Sequence, residues 1–294
     1  MTAGIWLVSV ERPGSRAEWD CATLGAPDAR DLLPTRRPSS GDFSRHIPRR
    51  AYAATTGTAI ELESGLEHDL LRWLDFRADV TWLVGQPVCF HFLSSGQRKT
   101  VVHTPDLLSQ HDDGSVVLWD ARPRRGRDAK FEMKVELTAE TCSQVGWRHE
   151  AFEGVPTTTR MNLLWLSGYR RPMPWHARWT GELERLLRVR PRSVSDLRAF
   201  DDGGGELHAT MWHLIATGSI HCDLSRPIRD SSTLSWSSSC DGSGGGSRGP
   251  QTQPTAWTQP RPARSDALAS TRLQRAGACQ DFCVSGRFSF PVWS

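Results

Sequence analysis

No window of the chain approaches the roughly eighteen consecutive apolar residues that a membrane-spanning helix needs. The longest apolar runs, such as Met211 to Ala216, are short and broken by a Trp-His pair, which excludes a membrane span. The apolar stretch after Met1 is brief and has no basic residue before it, so no signal peptide is expected and a cytoplasmic location is. Paired cysteines are lacking as well. The seven Cys, at positions 21, 89, 142, 222, 240, 279 and 283, are odd in number and form no disulfide framework, which fits a reducing compartment. The close pair Cys279 and Cys283 falls in a low-complexity tail and is not expected to bind metal. Lysine is scarce: Lys99, Lys130 and Lys134 are the only lysines among 36 basic residues, which restricts where a catalytic lysine could stand. No internal repeat occurs. Gly203 to Gly205 lack a following Gly-Lys-Ser/Thr, so they read as a loop before a helix and not as a phosphate cradle.

What is present is an ordinary globular composition. The 294 residues are 38% hydrophobic and 23% charged, enough for one large or two modest cores. The formal charge of +3 is unevenly spread. Residues 160 to 198 carry nine Arg against Glu182, Glu184 and Asp196, and Arg122, Arg124, Arg125 and Arg127 lie close together. Such clusters suit a polyphosphate partner, and they equally describe a solvated face.

The pattern divides the chain into four parts. Residues 1–50, rich in Pro, Arg, Asp and Ser, read as an extended or disordered arm. Residues 51–172 read as a mixed α/β domain: a strand in AYAATTGTAIELES, then a helix over 64–76 capped by Ser64 with Leu66, Leu70, Trp73 and Leu74 on one face. Three strands in a meander follow, in VTWLVGQPVCFHFL, KTVVHTPDLLSQ and SVVLWDARP, the last two joined by a tight Asp-Asp-Gly turn. A helix over 127–145, a strand over 147–152 and a helix over 161–169 complete the domain. Residues 173–236 carry three helices, with Ser193 capping the second and Gly218 ending the third, then a β-hairpin. That is the layout of a winged helix-turn-helix, to be weighed against a generic helical subdomain. Residues 237–294 are Ser, Gly, Pro and Gln rich and read as a disordered tail, native or altered by truncation or frameshift.

The residues that carry chemistry are Glu67, Asp106, Asp120 and Arg122. Side chains alternate along a strand, so Asp120 and Arg122 share a face, and Asp106 ends the strand before it. Two carboxylates thereby meet beside a cation at one end of a sheet. Oxygen ligands of this kind suit a hard divalent ion, Mg²⁺ by default with Mn²⁺ able to substitute, and Glu67 can add a third carboxylate. Glu61 and Glu63 are alternatives to Glu67. His91, His103 and His111 are irregularly spaced and read as surface or strand-packing residues, not as zinc ligands. Trp73, Trp82, Trp119, Trp147, Trp165 and Trp212 lie inside elements and read as core, not as a base-stacking platform.

Pro105-Asp106 followed by Asp120-Ala121-Arg122 resembles the PD-(D/E)xK nuclease signature. With ESGLEHDLLRWLDFRADVTWLVGQP before it, and NLLWLSGYRRP and MWHLIATGSIHCDLSRPI after it, the chain from 52 to 236 resembles the TnsA-type endonuclease subunit of heteromeric transposases. The resemblance implies a restriction-endonuclease-like core, a mixed sheet flanked by helices, with a C-terminal winged helix. It implies Mg²⁺-dependent cleavage of DNA strands at the 5′ ends of a transposon. The partners implied are an integrase-like DDE transposase that cuts the 3′ ends and an AAA+ ATPase regulator. Glu67 takes the place of the helix acid, Asp106 of the first acid, Asp120 of the second, and Arg122 stands where the family has lysine. Arg stays protonated, so Arg122 cannot be a general base and can only orient a phosphate or neutralise charge. Two other readings remain open: a non-catalytic DNA-binding or assembly subunit retaining a nuclease scaffold, and a stand-alone restriction-type nuclease.

Overall fold

Residues 4–36, 49–93 and 100–237 are described by a computed structural model. The tail expected from Ser237 onward, with Cys279 and Cys283, lies outside the described residues except for Ser237 itself. In chain order come strands β1 (Gly4–Val8) and β2 (Ala17–Trp19), helix α1 (Cys21–Leu24), the hairpin β3 (Arg49–Ala53) and β4 (Thr58–Leu62), and helix α2 (Gly65–Asp75). Strands β5 (Val80–Gly85), β6 (Val88–Leu93), β7 (Thr100–His103), β8 (Leu107–His111) and β9 (Val116–Ala121) lead to α3 (Ala129–Ser143), β10 (Arg148–Phe152) and α4 (Thr157–Leu166). Then follow α5 (His176–Val189), β11 (Arg192–Ser193), α6 (Val194–Arg198), α7 (Glu206–Ala216), β12 (Ile220–Cys222) and β13 (Thr233–Trp236). The architecture is mixed α/β, and no described helix is long and apolar enough to cross a membrane.

The central sheet has the order β10-β9-β8-β5. β5, β8 and β9 are antiparallel neighbours, and α3 carries the chain across so that β10 runs parallel to β9. A second sheet, β2-β1-β6-β7, is antiparallel throughout.

The expected meander is therefore corrected: two of its three runs are broken between the sheets. VTWLVGQPVCFHFL is interrupted after Gly85, where a Cβ would stand 2.8 Å from Cγ2 of Ile60. Gln86 has a left-handed backbone (φ 48°), and Pro87 has no N–H to donate to a ladder. The chain leaves the central sheet there as β6. It returns through Thr104-Pro105, so KTVVHTPDLLSQ becomes β7 in the second sheet and β8 in the central one. The Asp-Asp-Gly turn forms as expected, with Gly114 at φ +82° and its N–H donating to the His111 carbonyl at 3.0 Å.

The expected N-terminal arm is also corrected over residues 4–36; residues 37–48 of it lie outside the described residues. β1 pairs with β6, Trp6 opposite Phe90, and Trp6 is 3% exposed. Its ring meets Phe90 and Trp147 edge-on at 4.9 and 5.4 Å. Val8 and Leu32 are buried in the same cluster. Each buried side chain of this size contributes roughly 1.5–3 kcal/mol, so these residues and the β1–β6 ladder anchor a segment of polar composition. AYAATTGTAIELES is likewise not one strand but the hairpin of β3 and β4.

α2 begins where expected: Ser64 Oγ accepts the N–H of Glu67 at 3.2 Å. Leu70, Leu71 and Leu74 are buried beneath the hairpin and the central sheet. A separate core gathers Leu183, Leu187, Leu197, Leu207, Met211 and Leu234 from the last third of the described chain. There the order is helix, strand, helix, helix and hairpin, with the sheet ordered β11-β13-β12. Ser193 and Asp196 form a reciprocal capping box on α6. α7 carries no Arg or Lys and has no fully exposed residue. It packs beside α5 and α4, its Trp212 edge-on to Trp165 at 4.5 Å. Trp165, expected in the core, is 45% exposed. Arg170 joins this region to α2: Nε lies 3.1 Å from Asp75 Oδ2, and the remaining nitrogens donate to the carbonyls of Asp75 and Ala216.

Candidate active site

Antiparallel pairing sets the start of β8 beside the end of β9, and there the carboxylates meet. Asp106 stands immediately before β8 rather than at a strand end as expected; its N–H donates to the Trp119 carbonyl at 2.8 Å. Its Oδ2 accepts the N–H of Ala121 at 2.8 Å. Asp120 is the last but one residue of β9. Glu67 comes from the first turn of α2, and its Oε2 accepts the N–H of Glu63 at 2.7 Å. Glu67, Asp106, Asp120 and Arg122 all line one cavity of about 460 Å³, so the four residues singled out in the sequence are brought together.

Four further residues of the site were missed or set aside. Glu63, considered only as a substitute for Glu67, lines the cavity with it and holds Arg36 at 2.9 Å. Lys134 of α3 also lines the cavity. His103, taken for packing, is buried and engages Asp120: Nε2 lies 3.1 Å from Oδ1, while Nδ1 lies 2.7 Å from Thr138 Oγ1. His149 of β10 supplies the matching contact, its Nε2 2.9 Å from Asp120 Oδ2. A carboxylate only accepts, so both Nε2 atoms carry protons. His91 and His111 stay outside the site; His111 contacts Asp79 and Ser109.

The surroundings drive the two aspartates apart. Burial, then the negative charges of Glu67 and Asp120, raise the proton affinity of Asp106 well above the carboxylate range. Burial also raises Glu67, partly offset by the Glu63 N–H. Burial acts against Asp120 too, yet the hydrogen bonds from His103 and His149 hold it down at about 2. One aspartate is thus a fixed anion and the other strains against neighbouring charge.

Arg122 occupies the rim. Its Nε donates to the Gly126 carbonyl at 2.9 Å, and its guanidinium lies 5.4 Å from the Phe131 ring. Glu67 and Asp106 each engage a backbone N–H through one oxygen, and among the described residues the other oxygen, Oε1 of Glu67 and Oδ1 of Asp106, accepts no hydrogen bond. These donors are all oxygen, and they crowd negative charge around the buried Asp106. The set therefore fits a hard divalent ion such as Mg²⁺ or Mn²⁺. Compared with known proteins, the chain matches no family and no curated protein.

Proposed function

We propose that the chain is a metal-dependent DNA endonuclease with a restriction-endonuclease-like core, acting as the nuclease subunit of a heteromeric transposase. The observation that carries the reading is the convergence of Glu67, Asp106 and Asp120 on one cavity at the end of the central sheet. Support also comes from the order of elements around it: a helix bearing Glu67, three antiparallel strands, a crossing helix and a parallel fourth strand.

Phosphodiester hydrolysis needs an attacking water, neutralisation of the charge that builds on the phosphoryl oxygens, and departure of the 3′ oxygen. A divalent ion, when bound, would supply Lewis acidity and lower the proton affinity of water. Asp106 and Glu67 would hold it through their free oxygens, with Asp120 adding a fixed negative charge and any remaining lone pairs. His103 and His149 keep the Asp120 carboxylate in one orientation, as partners behind a metal ligand do. Arg122, permanently charged, draws the DNA phosphate to the rim. The water oxygen bonds to phosphorus, the bond to the 3′ oxygen breaks, and that oxygen takes up a proton while water's proton passes to solvent.

The alternative of a non-catalytic DNA-binding subunit that works through the C-terminal helices has less to recommend it. Its third helix, α7, offers neither an Arg or Lys nor a fully exposed residue to a groove. The remaining features of the proposal, transposon-end DNA, a DDE transposase, an AAA+ ATPase and a cytoplasmic setting, rest on the resemblance described above. The test is cleavage of end-containing DNA with Mg²⁺ or Mn²⁺, the partner transposase present, by the wild-type chain and by Asp106→Ala. Cleavage lost in the variant is expected. Equal cleavage by both, with contaminating nuclease excluded, places the chemistry elsewhere, and no cleavage by either favours the scaffold.

A further inference from the structure

We propose that Lys134, on α3, is a catalytic residue of this site, the cation that neutralises charge on the phosphoryl group in the transition state; the inference rests on the phosphodiester-hydrolysis reading. Two cations line the cavity, and they differ in how they are held. The Arg122 guanidinium is tied to the Gly126 carbonyl and laid over Phe131 at the exposed rim. Lys134 is half-buried and makes no hydrogen bond or ion pair among the described residues.

The position of Lys134 is fixed from both sides. Residues three and four apart share a helix face. One turn before it, Phe131 is buried beneath Arg122. One turn after it, the Thr138 hydroxyl contacts His103, which in turn holds Asp120. The inward face of α3 is thereby locked against the acid cluster, with an uncommitted ammonium between its two anchors. Ordering a lysine side chain costs conformational entropy, and no partner among the described residues offsets it.

An ammonium is a compact, rotatable donor that suits a single non-bridging phosphoryl oxygen, whereas a guanidinium fork prefers two acceptors in its plane. Lys134 donates to that oxygen as water adds to phosphorus and the bond to the 3′ oxygen breaks. It remains protonated throughout, and its charge offsets the negative charge that grows in the transition state.

The test compares the full-length wild type with Lys134→Ala, Lys134→Arg and Asp106→Ala. Three measurements are made on each: Mn²⁺-dependent cleavage of end-containing plasmid with the transposase present, binding of Mn²⁺ alone by electron paramagnetic resonance, and the melting temperature. Lys134→Ala should lower kcat on the order of a hundredfold, the scale of one lost transition-state contact. It should leave the melting temperature unchanged and bind Mn²⁺ at least as tightly, since a cation has left a cluster of carboxylates; Lys134→Arg should recover a substantial part of the rate. Asp106→Ala should lose Mn²⁺ binding and cleavage together. Wild-type cleavage with an equally active Lys134→Ala overturns this inference alone. A Lys134→Ala variant that melts early or loses Mn²⁺ assigns the residue a structural role. A wild type that does not cut removes the hydrolase reading and this inference with it.

Discussion

His103 and Asp120 meet across two different sheets. The histidine ends β7 of the second sheet, the aspartate lies near the end of β9 of the central one, and Nε2 stands 3.1 Å from Oδ1. The chain reaches this arrangement only because it leaves the central sheet at Gln86-Pro87 and re-enters at Thr104-Pro105. The excursion that breaks the meander is what delivers His103 to the site.

The first prediction follows from that contact. Asp120 has its proton affinity held down to about 2 although burial opposes this, because two histidines donate to it. A depressed carboxylate contributes stability that is present above its unfolded pKa, about 4, and is lost as pH falls toward 2. Asp120→Ala should also strand two buried imidazole donors, costing roughly 1–3 kcal/mol at neutral pH. Urea unfolding at a series of pH values checks both. An unchanged midpoint at pH 7 would mean the histidines find other partners.

Asp106 behaves in the opposite sense. Its folded-state pKa is raised by burial and by the Glu67 and Asp120 charges, so the folded chain holds a proton that the unfolded chain has released. Stability without metal therefore falls as pH rises from the ordinary carboxylate value through that raised pKa. Asp106→Asn should flatten this slope and raise the neutral-pH melting temperature by about 2–4 °C, the shift for about 1 kcal/mol in a domain of this size. On the metal-dependent reading proposed for the site, Mg²⁺ competes with the same proton. It should stabilise the wild type increasingly as pH rises and leave Asp106→Asn nearly unaffected, as thermal melts with and without the ion would reveal.

Much of this was legible in the residues, and the omissions have physical causes. Ser64, Ser193 and Gly218 mark helix ends through local chemistry, so α2, α6 and α7 could be placed from spacing alone. Asp106 and Asp120 were recognisable because a short Gly-containing turn fixes which strands are neighbours. β1 was not, since Trp6 acquires its core only from Phe90 and Trp147, far away in sequence. Pro87 and Pro105 carried a signal that was available and unused: a residue without an N–H does not sit inside a central strand. His149 gave no local sign of its role, because a parallel pairing set up by α3 is what brings it to Asp120. Lys134 could have been found, since it shares a helix face with Phe131 and Thr138.

The Arg170–Asp75 pair supplies a third prediction. Asp75 is buried and Arg170 largely so, and Asp75 also accepts from the N–H and hydroxyl of Thr55 at 2.8 and 2.7 Å. The pair thus fastens the β3–β4 hairpin, the end of α2 and the end of α7 to one another. Removing one member of a buried ion pair leaves the other uncompensated, at about 3–5 kcal/mol. Arg170→Met and Asp75→Asn should each destabilise on that scale in denaturant unfolding. A double variant should cost less than the two single losses combined, because neither partner is then stranded. Additive losses would show that the two residues act independently.

The last prediction concerns Arg122, which stands at the lysine position of the motif it resembles. Its guanidinium is braced by the Gly126 carbonyl and Phe131 at the exposed edge of the cavity, where on the nuclease reading it would meet a DNA phosphate. A rim cation acts mainly on binding. Arg122→Ala should therefore weaken DNA affinity across sequences and reduce the slope of log affinity against log salt by about 1, as for the loss of one phosphate contact. Arg122→Lys keeps the charge and can still reach the Gly126 carbonyl, so it should retain most of the affinity although the two-pronged contact is gone. The decisive comparison is kinetic: in Arg122→Ala the loss should fall mainly on KM, with kcat reduced far less than in Lys134→Ala. A kcat loss on the order of a hundredfold in Arg122→Ala, with the salt slope unchanged, would make Arg122 the cation of the transition state.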